Sequence, residues 1–192
     1  MTLERGVADL REVAAALPGQ VDLLIGHSWG GAVALLGGRA LPAQKVVAID
    51  PMLHVAPGTF AQEYLDDLRE PLGLEPVAKE SAIRDMYGGA HELDLAGKLH
   101  ALLPMSIDAL ERLGRDNRVD DGGWDVREAV VAYPVPLLLF AAGVDSVLST
   151  ADLAFVRERG GPNVTVRVFE TEGHNLHRTA FEAFADAVAA FA

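Results

Sequence analysis

Apolar residues at Leu3, Val7, Leu10, Val13, Ala14 and Leu17 recur at the spacing of one helix face, and Pro18-Gly19 closes that segment. Four short apolar runs follow a different rhythm: Val21–Ile25, Lys45–Asp50, Pro136–Ala141 and Val164–Phe169. They are β-branched or leucine-rich and read as strands buried on both faces of a parallel sheet. Helical segments lie between or after them: one from Gly30 to Arg39, one from Ser149 to Arg159 and one from Leu176 to Phe191. Alternating strands and helices make the fold class α/β, a parallel sheet with flanking helices.

The stretch from Met52 to Trp124 interrupts this alternation. It is richer in charge and broken by Pro57-Gly58, Pro71, Gly73, Pro76, Gly88-Gly89 and Pro104, with no strand-like run. It reads as a helical cap insertion, residues 52–124, lying over a core made of residues 1–51 and 125–192. Gly122-Gly123 marks the return, and a short helix from Asp125 to Ala132 is expected before the third strand.

Composition narrows the function classes. With 192 residues and 50% apolar content, the chain can bury one sizeable core beside its insertion. It has no cysteine, so thiolate metal sites, disulfides and a cysteine nucleophile are excluded. A formal charge of −12 argues against nucleic acid and anionic membrane surfaces as partners. No apolar run reaches the length of a membrane span, and the first residues lack a signal-peptide core. The expectation is a soluble cytoplasmic protein acting on a small molecule.

The chemistry concentrates where the first strand ends. Val21-Asp-Leu-Leu-Ile-Gly-His-Ser-Trp-Gly-Gly31 runs an apolar strand into Gly26-x-Ser28-x-Gly30 and then into an Ala-rich helix, the pattern of a nucleophile elbow. The serine of such a turn is strained, and the glycines two residues away are expected to let strand and helix approach. Acyl transfer by serine also needs a base and a carboxylate to orient it. Asp145 follows the third strand and His174 the fourth, so Ser28, Asp145 and His174 each stand at the carboxyl end of a strand. Asp145 lies one residue short of the commonest Gly-x-x-Asp spacing, and Asp50, at the end of the second strand, is the alternate acid. His174 and His177 have a spacing two metal ligands could use, but no third ligand is in view and no metal is expected. No dinucleotide or phosphate glycine pattern occurs, so no cofactor is implied. His27 is expected to pack at the elbow, and His54, His91 and His100 belong to the insertion.

These residues resemble the serine-nucleophile, cap-bearing branch of the α/β-hydrolase-fold family. The matching pieces are Gly26-His-Ser-Trp-Gly-Gly31, the Leu137–Asp145 strand and loop, and Gly173-His-Asn-Leu-His177. The likeness covers the family's C-terminal two-thirds, so the four strands would be the family's fifth to eighth. The first four strands have no counterpart, nor does the loop that supplies one of two oxyanion-hole N–H groups. The resemblance implies that Trp29 supplies the other. It further implies hydrolysis of an ester or related acyl bond, with activity impaired by the missing segment. The alternative is a non-catalytic truncated remnant or scaffold of the same fold. Without a neighbour on its outer side, the first strand would be an open edge through which a homo-oligomer is expected to form.

Overall fold

A computed structural model describes residues 2–60, 62–117 and 123–192, and the side chains of all of these except 62–64. Met1 and Gly122, the latter expected at the return from the insertion, lie outside the described residues. Two compact units emerge, one made of residues 2–55 and 124–192 and one of residues 56–123.

The larger unit holds a parallel four-stranded sheet of β1 (Val21–His27), β2 (Ala43–Ile49), β5 (Leu137–Ala142) and β6 (Val164–Phe169), in the order β1-β2-β5-β6. The two central strands are the ones buried on both faces, and their residues sort by parity. Val46, Ala48, Leu137, Leu139 and Ala141 join Ala34, Leu35, Val130 and Val156 in one core. Val47, Ile49, Leu138, Phe140 and Ala142 join Leu176 and Ala187 in another. The register Val46↔Leu137 through Ile49↔Phe140 keeps each parity on its own face. Helices α2 (Trp29–Gly38) and α7 (Thr150–Arg159) contribute to the first layer, and α8 (Leu176–Thr179) and α9 (Phe181–Phe191) to the second.

The outer strands differ from the sequence expectation. In β6, Thr165 and Arg167 are exposed between half-buried neighbours, as befits an edge. β1 pairs with β2 alone among the described residues, and Ile25 on it is 46% exposed. The helix α1 (Leu3–Ala16) uses only part of its apolar stripe. Leu3, Val7 and Leu10 pack with Trp29, Val33 and Leu36, whereas Val13 and Leu17 are exposed.

Two further differences are local. The stretch expected to lack strands carries a ribbon of two-residue strands at its base, β3 (His54–Val55) antiparallel to β4 (Trp124–Asp125). Such a pair is too short to leave a period in the sequence. The last helix is split at Ala180, and the turn before β5 is a single 3-10 turn, Arg127–Val130. The smaller unit is built of α3 (Gln62–Leu72), α4 (Pro76–Met86), α5 (Glu92–Leu102) and α6 (Ile107–Asp116), with Leu68, Ile83, Leu102 and Leu110 buried. No helix among the described residues is long and apolar enough to cross a membrane.

Candidate active site

Ser28 sits at the end of β1 with φ 58° and ψ −124°, a conformation that L-residues rarely adopt. What holds it there is main-chain pairing: its N–H donates to Ile49 O (2.9 Å), and its carbonyl accepts from Gly31 (2.9 Å), Ala32 (3.2 Å) and Met52 (3.2 Å). The strand and helix meet closely at one of the two motif glycines. A Cβ on Gly26 would lie 2.1 Å from Gly30 O, whereas a Cβ on Gly30 would meet nothing within 4 Å. Gly31, outside the motif, is the second tight position, with Pro51 Cβ at 3.0 Å. The steric requirement expected of Gly30 is therefore absent.

Trp29 opens α2, so its N–H has no intrahelical acceptor and belongs to the donors that a helix start leaves open. Its indole Nε1 is buried without a hydrogen-bond partner among the described residues.

His174, in the turn after β6, donates from Nδ1 to Asp50 Oδ2 at 2.7 Å. The structure thus pairs His174 with Asp50 and not with Asp145. Asp145 lies in the same loop as Ser146 but is exposed, with φ 48°. Asp50 is fully buried at the end of β2, with φ 40°. Its carboxylate accepts from Ser146 Oγ (2.5 Å), Ala142 N–H (3.1 Å) and Val147 N–H (3.0 Å) as well as from His174. The end of β5 and the loop after it therefore supply three of the four donors to Asp50. Ser146 stands where the commonest Gly-x-x-Asp spacing puts a carboxylate, so the short spacing after Gly143 was the available signal.

Electrostatics suit this arrangement. Burial pushes the Asp50 carboxyl up, but the hydrogen bonds from His174, Ser146, Ala142 and Val147 outweigh it and hold the group below its ordinary value. A buried ionised carboxylate fixes the Nδ1–H tautomer of His174 and leaves Nε2 as the proton acceptor. The His174 side chain is 24% exposed while that of Asp50 is wholly shielded, so His174 is reachable from solvent and Asp50 is not.

His27, adjacent to Ser28, is pushed down to about 3, first by burial and then by the charges His174 and His177 would carry. A depressed histidine stabilises the fold fully above its unfolded value near 6.5 and progressively less as pH falls toward about 3. Asp50, also depressed, adds a loss that begins below about 4. From the His27 shift we expect stability about 2 kcal/mol lower at pH 5 than at pH 7. Urea unfolding of the wild type and of His27→Gln at both pH values checks it. A drop of the same size in both proteins would contradict the assignment to His27.

Comparisons with known proteins agree with this architecture. The Alpha/beta hydrolase family profile matches residues 1–187. No curated protein matches the chain. Among solved structures, an enol-lactonase from Burkholderia xenovorans is similar at TM-score 0.72 and 14% identity, covering 100% of this chain and 73% of that one. A carboxylesterase from Bacillus subtilis is similar at TM-score 0.70 and 18% identity, with 99% and 66% covered. A proline iminopeptidase from Mycobacterium smegmatis is similar at TM-score 0.65 and 18% identity, with 99% and 71% covered. At these identities the likeness is one of fold.

Proposed function

Because the chain belongs to the alpha/beta hydrolase family, we propose that it is a serine hydrolase acting on an ester or related acyl bond of a small molecule. Membership of the family supports hydrolase activity in general. The observation that carries the finer reading is the 2.7 Å bond from His174 to the buried Asp50, linked to the strained Ser28 turn through His27, which precedes Ser28 and bonds to the His174 carbonyl at 2.9 Å.

In this reading Ser28 Oγ attacks the acyl carbon as its proton passes to His174 Nε2. The charge on the former carbonyl oxygen is met by the Trp29 N–H. His174 then protonates the leaving group, and a water molecule reverses the sequence to free the acid and restore Ser28. Asp50 keeps the imidazole oriented and steadies its positive charge while it holds the proton. No cofactor takes part. The cytoplasm is the proposed compartment.

We expect hydrolysis of p-nitrophenyl acetate above that of Ser28→Ala. Equal rates in the two proteins would favour the other reading, a non-catalytic remnant or scaffold of the fold.

A further inference from the structure

We propose that His27 is a positioning residue for the base, holding the main chain of His174 from the strand that carries the nucleophile. The proposal rests on the reading of His174 as general base. Its ground is a cross-sheet connection. In the order β1-β2-β5-β6, His174 follows the strand farthest from Ser28, so its turn must reach back over two strands. Each strand it crosses contributes a tether. From the end of β5, Gly143 N–H and Val144 N–H both donate to Glu172 O at 3.1 Å. From the end of β2, Asp50 accepts the His174 ring proton. From the end of β1, His27 Nε2–H donates to His174 O at 2.9 Å.

The last tether differs from the others in acting on the carbonyl of the base residue itself. It also fixes the state of His27: a ring that donates from Nε2 to a carbonyl is the Nε2–H tautomer. The ring lies 4.4 Å from that of His174 and 4.4 Å from that of His177, tilted by 37° and 50°. It therefore wedges between the two imidazoles of the 174–177 segment. Burial together with the neighbouring His174, His177 and Arg178 disfavours a proton on His27. Consequently His27 itself adds no positive charge against the imidazolium that His174 becomes during turnover. A small uncharged wedge would fill the same space without holding the carbonyl. The donor is thus the part of His27 that positions the base.

Two variants separate donor from ring. His27→Phe keeps a ring and removes the donor; His27→Gln keeps an amide N–H near the place of Nε2 and removes the ring. Two readouts with different premises follow them. The first is the low-field proton resonance of the His174–Asp50 bond, identified by its loss in His174→Ala. We expect it in the wild type and in His27→Gln, and exchange-broadened in His27→Phe. The second is phosphonylation of Ser28 by an alkyl fluorophosphonate, in which Oγ displaces fluoride from phosphorus and its proton passes to His174. A misplaced base should slow this step on the order of tenfold in His27→Phe, with the rate in His27→Gln within about threefold of wild type. Unchanged resonance and rate in His27→Phe would overturn the proposal. So would equal losses in both variants, which would assign the effect to ring packing. A wild type that shows the resonance yet leaves Ser28 unmodified would refute the hydrolase reading, while the resonance comparison still decides the role of His27. If circular dichroism shows His27→Phe unfolded, His27→Met, which fills the space without a donor, is judged by the same criteria.

Discussion

Asp50→Asn should reduce kcat on the order of 10³–10⁴-fold, while Asp145→Asn stays within about threefold of wild type. The carboxylate of Asp50 accepts four hydrogen bonds, one of them the ring N–H of His174. An amide at this position has one oxygen instead of two and brings an NH₂ against donors. Either that NH₂ faces His174 and Val147, and His174 flips to the wrong tautomer, or it faces Ser146 and Ala142. Either way a buried backbone N–H, of Val147 or Ala142, loses its acceptor, which costs about 1–3 kcal/mol of stability. Asp145 is exposed, so its amide costs little either way. Steady-state kinetics of both variants, with unfolding curves to confirm that they are folded at the assay temperature, check this. Loss of activity in Asp145→Asn alone would return the acid to the loop after β5.

The second large effect is on folding. Gly26→Ala should destabilise the protein by about 3 kcal/mol or more, because the added Cβ would stand 2.1 Å from Gly30 O and 2.7 Å from Ala34 Cβ. Both neighbours belong to α2, so strand and helix would have to part. Gly30→Ala should instead be neutral or stabilising by up to about 1 kcal/mol, since the site is open and alanine is the better helix former. Chemical denaturation of the pair provides the check. Equal destabilisation would show that both glycines of the motif are sterically required.

The turn positions of Ser28 and His174 were legible in the sequence because each is announced locally. Ser28 follows an apolar strand and precedes a helix, and His174 follows Gly173 in a turn after the last strand. The four sheet strands were legible for the same reason, as runs bounded by Gly, Pro or charge. The carboxylate that pairs with His174 was not. The partners that hold the Asp50 carboxylate, Ala142, Ser146, Val147 and His174, stand 92 to 124 residues away in the chain. No spacing rule reaches that far. Asp145 and Asp50 both stand at strand ends, and the difference between them is burial, which only packing decides. His27 was read as elbow packing for the same reason: its acceptor is 147 residues away. The β3–β4 ribbon went unread because two residues show no period, and Val13 and Leu17 share the apolar spacing of Leu3, Val7 and Leu10 yet are exposed, because periodicity marks a face without saying what covers it.

The central claim is that Ser28 is a nucleophile activated by His174 and Asp50. Peptide-resolved mass spectrometry of the wild-type chain after exposure to an alkyl fluorophosphonate tests it most directly. The account predicts a single phosphonyl adduct on the peptide bearing Ser28, abolished in Ser28→Ala, strongly diminished in His174→Ala and Asp50→Asn, and retained in Asp145→Asn. An adduct elsewhere, or labelling of Ser28 that is indifferent to His174 and Asp50, would contradict it.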